Sequence, residues 1–450
     1  MSEGKEQELK RELGLFTGIT IVIGMVIGSG VFFKPGAVLA NAGSSELGLL
    51  AWILGGVITL AAGLTVAELA AAIPKTGGVY TYLDEIFGRL WGFLYGWIQT
   101  VVYSPATFAA LAIIFAGQLN YFFPMPLFFQ KIAAITALGF LTIFNIIAVK
   151  YGGIIQQIAT VGKLIPIAAI IIFGLVKGGG ANFVGAVNVP AANAAGGGLG
   201  AAILATLWAY DGWVGVGNVA GEMKNPTKDL PRSIIIGLGV VLVVYTTINL
   251  AFLNVLDQNQ IVSLWSGDKT APVNELTKVL FGPLGSSIIA AGILVSIFGA
   301  LNGHILSDTR VTFAMAERGQ FPMHRVFAYV HPVFRTPQNA LLLESALAFI
   351  YIFIGTFDQL TDFAIFSVWI FFTLSMFGLF VLRAKCPDLE RPYKVPLYPV
   401  VPGIALIGGI YILISNLQSN PMNALVGIGL TLVGIPVFWY VNWGQMRKIP

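Results

Sequence analysis

The chain is patterned in long apolar runs rather than in short alternations of apolar and polar residues. Each run is about 20 residues or longer, enough to cross the hydrocarbon core of a bilayer as a helix. Strands of an outer-membrane barrel would be about ten residues long and alternating, so the pattern predicts an all-α integral membrane protein. The twelve predicted spans lie at roughly 14–41, 47–73, 90–122, 129–149, 153–176, 197–222, 232–256, 283–306, 338–356, 360–383, 397–416 and 422–441.

Composition agrees with this pattern. The 450 residues are 56% hydrophobic and only 10% charged, whereas soluble domains carry about a quarter charged residues. The loops are too short to hold a soluble domain, so residues 1–450 are predicted to form one transporter-like membrane domain. No GxxxxGK[ST] phosphate loop or paired metal-ligand motif occurs, so no cofactor, metal ion or nucleic acid partner is expected.

Basic residues are distributed unevenly between the two sets of loops. With twelve spans, nineteen of the 25 Lys and Arg residues fall on the side of the N-terminus. Basic loops stay on the cytosolic side, so both termini are predicted to be cytosolic in a multi-pass protein of the plasma membrane. No cleaved signal peptide is expected, and Cys386 is the sole cysteine. The outer side receives Lys34, Lys131, Lys177, Lys269 and Lys278.

Two spans contain a predicted break at mid-depth in their helical pattern. Span 1 carries Gly28-Ser29-Gly30 and span 6 carries Asp211-Gly212. Five spans separate the breaks, which predicts an inverted repeat of 14–176 (spans 1–5) and 197–383 (spans 6–10), with spans 11–12 (397–441) outside it. Paired interrupted spans of this kind indicate a transporter binding site.

A break in lipid exposes peptide groups that need polar partners. The amides of Ser29, Gly30 and Val31 are predicted to bind a carboxylate, and the carbonyls near Val26 and Ile27, beside Gly28, an ammonium group. The carbonyls of span 6 complete this ammonium site. They belong to Trp208, Ala209 and Asp211. Together these groups suit the zwitterionic backbone of an α-amino acid, while close helix packing is the alternative reason for the glycines.

Four side chains near the breaks are further candidates. Lys163 in span 5 either snorkels to the membrane surface or places its ammonium group on the carbonyls of the span 1 break, which predicts transport without sodium. Asp211 is predicted to pair with Lys163, to line a water path or to cap the second half of span 6. Trp208 is a candidate gate, and Tyr103 is a candidate pocket wall.

A membrane enzyme is the distant alternative. His304, His324 and His331 are placed at or beyond the cytosolic end of span 8, without metal-ligand spacing. The chain offers no catalytic constellation, so no enzymatic activity is expected.

Six segments resemble a known group of transporters. VIGSGVF, PKTGGVYTYL, VGKLIP, AYDGW, EMKNPTKDLPRS and RVTFAMAERGQFP are similar to the L-amino acid transporter family of the amino acid-polyamine-organocation (APC) superfamily, and most of all to its bacterial serine/threonine exchangers. The resemblance implies a LeuT-type 5+5 inverted repeat with discontinuous helices 1 and 6. It also implies that Ser29 and Gly30 bind the substrate carboxylate, and that Trp208 and Lys163 occupy the gate and span 5 lysine positions.

The implied activity is sodium-independent exchange of small neutral L-amino acids such as Ala, Ser and Thr by alternating access. A proton-coupled symporter of the same fold, with Asp211 or Glu68 as the titrating group, is the main alternative. Animal members carry a cysteine in the outer loop between spans 3 and 4 for a disulfide-linked heavy subunit. The loop NYFFPMPLFFQ has none, so no such subunit is expected.

Overall fold

A computed structural model describes residues 13–75, 77–147, 149–180, 183–187, 198–218, 220, 223–266 and 271–446. The two chain ends assigned to the cytosol, 1–12 and 447–450, and the end of predicted span 6 at 221–222 lie outside these residues. In the described part the fold is helical, with two isolated backbone bridges and no strand.

The helices follow the predicted order. They are α1 Leu15–Val26, α2 Gly30–Phe33, α3 Pro35–Ala42, α4 Ser45–Ala72, α5 Val79–Phe87, α6 Arg89–Ile98, a π-helical turn Gln99–Tyr103, α7 Ser104–Leu119, α8 Leu127–Ile147, α9 Val149–Lys177, α10 Gly198–Ala209, α11 Gly215–Asn218, α12 Pro226–Val255, α13 Gln258–Ser266, α14 Pro272–Glu317, α15 His324–Phe327, α16 Gln338–Ile354, α17 Phe357–Lys385, α18 Val400–Ser419 and α19 Pro421–Met446.

Ten helical segments of the described residues are long and apolar enough to cross a membrane. The predicted spans 6 and 9 correspond to the shorter apolar helices α10 and α16. Each of the twelve predicted spans therefore coincides with an apolar helix, although two of these fall below the length of a full crossing.

Span 8 is longer than predicted. The boundary at residue 306 is wrong, because α14 continues to Glu317, with a kink at Gly282 just before Pro283. The polar residues of its last turns, Asp308 among them, are buried against other helices. Polar residues at the end of an apolar run predict exposure to solvent, whereas these are buried inside the protein.

Burial separates the centre of the bundle from its edge. In the apolar stretch of span 1, 72% of the residues are buried, compared with 28% in that of α18 and 22% in that of α19. α1 packs against α9, α12 and α14, while α18 and α19 pack on the outside of α17. Spans 1 and 6 therefore lie among other helices, where a break in a helix is shielded from lipid.

Candidate functional site

The predicted break in span 1 is present. α1 ends at Val26, Ile27 has ψ 87°, and α2 begins at Gly30. The first amides after the break to reach a backbone acceptor are those of Phe32 and Phe33, which donate to the Ser29 carbonyl. In the described part of the chain, the amides of Ser29, Gly30 and Val31 thus have no backbone acceptor.

The predicted break in span 6 is also present. α10 ends at Ala209, and α11 begins at Gly215 after a turn through Asp211 and Gly212. Gly212 has φ +100°, a conformation that L side chains rarely adopt, and this explains a glycine at this point.

The two breaks touch each other. A Cβ added to Gly30 would lie 2.4 Å from Cα of Ala209, and one added to Gly212 would lie 3.0 Å from Cβ of Met25. The glycines are therefore required for close packing, and packing is part of how the site is built. Any larger residue at Gly30 would push the breaks apart whether or not Gly30 contacts a substrate.

Lys163 binds the carbonyl end of the first break, as predicted. Its ammonium nitrogen donates to the carbonyl oxygens of Gly24 at 2.7 Å and Ile27 at 2.6 Å. The side chain is fully buried, so the snorkelling alternative is wrong. The side-chain nitrogen of Lys163 thus occupies the carbonyl oxygens that the interrupted helix leaves unpaired.

A tyrosine occupies the remaining carbonyls. The Tyr245 hydroxyl lies 2.8 Å from the Val26 carbonyl oxygen and 2.9 Å from that of Ala209, and thereby bridges the two breaks. The prediction that the carbonyls of Val26, Ile27 and Ala209 stand free for a substrate ammonium is therefore wrong for this conformation. Buried carbonyls without partners are costly, and these three have partners within the protein.

Asp211 is bound by Tyr103 and not by Lys163. The Tyr103 hydroxyl donates to Oδ2 of Asp211, while Oδ1 accepts no hydrogen bond from the described residues. The predicted pairing with Lys163 is therefore wrong in this conformation, while the helix cap stays a prediction. Tyr103 is buried behind Asp211 and orients it, rather than forming a wall of the cavity.

A cavity of about 10 Å³ lies between the breaks, close to the space that one water molecule needs. Six of the residues that the sequence predicts for the site line this cavity. The other five do not, and they are Ile27, Val31, Ala209, Lys163 and Tyr103. The lining residues are Met25, Val26, Gly28, Ser29, Gly30, Leu111, Trp208, Asp211 and His304.

Sequence reasoning missed His304. Its ring lines the cavity, and its Nδ1 lies 2.9 Å from Oδ2 of Asp308. The assignment of His304 to the cytosolic end of span 8 is wrong, because α14 continues well beyond it. The i, i+4 spacing of His304 and Asp308 places both on one helix face, and this signal could have indicated a buried pair.

A second, larger cavity of about 700 Å³ lies on the other side of Trp208. The Trp208 ring packs edge-on against the Phe357 ring, with centroids 5.8 Å apart. The Phe33 ring lies on Phe357 as well, at a centroid distance of 6.3 Å. Phe33 and Phe357 line the large cavity and Trp208 lines the small one. The contacts among these three rings therefore join the linings of the two cavities, and the role of Trp208 as a gate stays a prediction.

Broken apolar helices that bring unpaired amides, a buried carboxylate and an aromatic gate together are typical of a membrane transporter. The sequence profile of the amino acid permease family matches residues 13–440, and the chain belongs to this family of the APC superfamily.

Curated relatives match over nearly the whole chain. The chain is 46% identical to the serine/threonine exchanger SteT of Bacillus subtilis (strain 168), over 97% of the chain and 98% of that protein. It is 33% identical to the Asc-type amino acid transporter 1 of Mus musculus, over 98% and 83%. It is 32% identical to the b(0,+)-type amino acid transporter 1 of Mus musculus, over 100% and 92%.

Proposed function

We propose that the protein is a sodium-independent exchanger of small neutral L-amino acids such as Ala, Ser and Thr, working by alternating access. The observation that carries the proposal is the ammonium group of Lys163 on the Gly24 and Ile27 carbonyls. Helix breaks in transporters of this architecture bind sodium through such carbonyls. Here the side-chain nitrogen of Lys163 fills the same role.

The substrate carboxylate is assigned to the amides of Ser29, Gly30 and Val31, which have no backbone acceptor. The carbonyls of Val26, Ile27 and Ala209 are already paired. The substrate ammonium is therefore assigned to Asp211, whose Oδ1 is buried, unpaired and part of a residue that lines the cavity. A carboxylate and an ammonium form a charge-assisted hydrogen bond.

Small side chains fit this arrangement best. The cavity is already narrow, and the indole of Trp208 forms one of its walls, with Nε1 3.4 Å from the Ser29 hydroxyl. A substrate requires the breaks to move apart, and a larger side chain requires a larger movement. This agrees with SteT, a relative named as a serine/threonine exchanger.

The inverted repeat of spans 1–5 and 6–10 is part of the proposal, because interruptions fall at the first span of each half. Cytosolic termini in the plasma membrane follow from the distribution of basic residues. A transporter without a disulfide-linked subunit follows from the outer loop NYFFPMPLFFQ, which has no cysteine, and from the assignment of Cys386 to the cytosolic side.

The test is counterflow into vesicles that contain the purified protein. Vesicles loaded with unlabelled L-serine are expected to take up external labelled L-serine in sodium-free buffer, while unloaded vesicles do not. Competition by Ala and Thr, but not by Leu or Phe, supports the proposed substrate range. Equal uptake by unloaded vesicles rejects obligatory exchange.

Proton-coupled symport is the second candidate, and the carboxylate of Asp211 beside His304 favours it. Glu68 is not a candidate any longer, because Arg383 binds both of its carboxylate oxygens at 2.8 and 2.6 Å and the Val395 amide donates to one of them. Symport predicts accumulation that a protonophore abolishes. Exchange predicts uptake that a protonophore leaves unchanged.

A further inference from the structure

A second buried carboxyl group lies outside the substrate cavity. Glu344, in the second turn of α16, is fully buried. Within the described residues, the charged group that acts on it is Asp308, which is itself an acid. An ionised carboxylate without a cation or a full set of donors is very costly in such a place.

Glu344 begins a chain of closely spaced oxygen atoms that joins three helices. Oε1 of Glu344 lies 2.5 Å from the hydroxyl of Thr312 in α14. The Thr312 hydroxyl lies 2.6 Å from that of Thr100 in the π-helical turn, and the Thr100 hydroxyl lies 2.8 Å from the Gly96 carbonyl oxygen. All three separations are hydrogen-bond distances.

Counting protons fixes the direction of this chain. A carbonyl oxygen only accepts, so Thr100 must donate its single proton to Gly96. Thr312 must then donate its own proton to Thr100. The contact between Thr312 and Glu344 is left without a proton unless the carboxyl group supplies it. Three contacts require three protons, and the two hydroxyls hold two.

We infer that Glu344 is a proton-binding site and acts as a neutral carboxylic acid that donates to Thr312. Oε2 of Glu344 accepts no hydrogen bond of normal geometry within the described residues, although the Ser104 hydroxyl also interacts with this carboxyl group. A neutral carbonyl oxygen tolerates this at modest cost, while a charged oxygen does not.

The bound proton makes Glu344 a positioning residue for the substrate site. Thr100 belongs to the π-helical turn Gln99–Tyr103, whose last residue donates to Asp211. The same turn is bound a second time by α16, because the Tyr351 hydroxyl donates to the Val101 carbonyl at 2.8 Å. α16 thus fixes the turn that aims Tyr103 at Asp211. This role rests on the proposed function, in which Asp211 binds the substrate.

Infrared spectroscopy of the purified protein tests protonation without transport. Wild type at neutral pH is expected to show a C=O stretching band of a protonated carboxyl group that Glu344→Gln removes and Thr312→Val shifts. Asp211→Asn is the control, and it should leave this band in place. Spectra of wild type and Glu344→Gln that are identical in this region would overturn the proton-binding site.

Transport by matched variants tests the positioning role. Glu344→Gln keeps a neutral donor and is expected to exchange serine within about twofold of wild type, whereas Glu344→Leu, which lacks a donor, raises KM about tenfold. Tyr351→Phe, which removes the second bond to the turn, should raise KM by a smaller factor.

Chromatographic behaviour identifies variants that fail to fold. A Gln variant as impaired as the Leu variant would mean that the negative charge is needed, which overturns the inference. Leu and Gln variants that both match wild type would overturn the positioning role. Absence of exchange in wild type would reject the proposed function, and the infrared result would stand.

Discussion

Lys163 and Lys34 are two buried lysines that solve the same problem in different ways. Lys163 is 0% exposed and satisfied by backbone carbonyls of a helix break, whereas Lys34 is 1% exposed and satisfied by side chains. Its ammonium nitrogen lies 2.7 Å from Oδ1 of Asp358, 2.8 Å from the Thr361 hydroxyl and 3.6 Å from Oδ1 of Asp362.

The two lysines differ in how easily each ammonium group can leave its partners. The partners of Lys163 are backbone groups next to the cavity, and no carboxylate of the described residues is bonded to it. Its ammonium group therefore cannot leave without exposing unpaired carbonyls. The side chains of Asp358 and Asp362 are 43% and 27% exposed, so water can replace Lys34. We expect Lys163 to be a permanent part of the site and Lys34 to be a separable contact at the aromatic gate, where it also lies 5.1 Å from the Phe357 ring.

The largest effect is expected for Lys163→Met. Hydrogen bonds to charged groups contribute about 1.5–3 kcal/mol each, and both would be lost, so serine exchange should fall at least about a hundredfold, to about the background rate. The measurement is counterflow with folded protein. Lys177→Met, at the exposed end of the same helix, is the control. Rates near wild type for Lys163→Met would remove Lys163 from the site.

Tyr245→Phe is expected to have the next largest effect. It removes one neutral donor shared by the Val26 and Ala209 carbonyls, which is worth about 1 kcal/mol, so exchange should fall by about fivefold. Counterflow measures this, and Tyr440→Phe at an exposed position is the control. A larger loss than that of Lys163→Met would show that the hydroxyl matters more than the charge.

Lys34→Met is expected to reduce exchange only about two- to threefold, since partly exposed ion pairs contribute about 1 kcal/mol or less. Combining it with Asp358→Asn should restore part of the loss, because the nearer of the two carboxylates is then neutral and only Asp362 is left beside an apolar side chain. The comparison of the two single variants and the double variant gives the coupling. Additive losses would contradict a direct role for the pair.

The smallest effect is expected for Asp362→Asn. Its oxygen lies 3.6 Å from Lys34, beyond hydrogen-bond distance, and Asp358 still neutralises the lysine. Initial rates of serine exchange should change by less than about twofold. A loss equal to that of Lys34→Met would place the main partner of the lysine at Asp362.

The same two residues show what a sequence can predict. The glycines and the lone charge in span 5 indicated both breaks and the contact of Lys163, because an unpaired group in lipid demands a partner and few candidates exist. The order of the apolar helices followed from the apolar runs, whereas ten and not twelve of the described helices are long enough for a full crossing. Lys163 and Ile27 are 136 residues apart, so this contact was predictable because a buried charge and an unpaired carbonyl each have few possible partners.

The failures concern side chains that no helix break or isolated charge within a span points to. Lys34 was placed on the outer side without a role, since nothing near residue 34 reveals that Asp358, 324 residues away, lies beside it. The role of His304 is hidden in the sequence because the polar face of α14 resembles the end of a span. Tyr245 could not be predicted, because one hydroxyl in an apolar helix gives no signal of the two carbonyls that it bridges.

The central claim is that Lys163 provides the positive charge which sodium would otherwise provide at the first break. The most direct test is the affinity of the purified protein for L-serine in sodium-free buffer and in buffer with added sodium at equal ionic strength. We predict the same Kd in both. A Kd that is about tenfold weaker without sodium, and recovers as sodium is added, would contradict the claim.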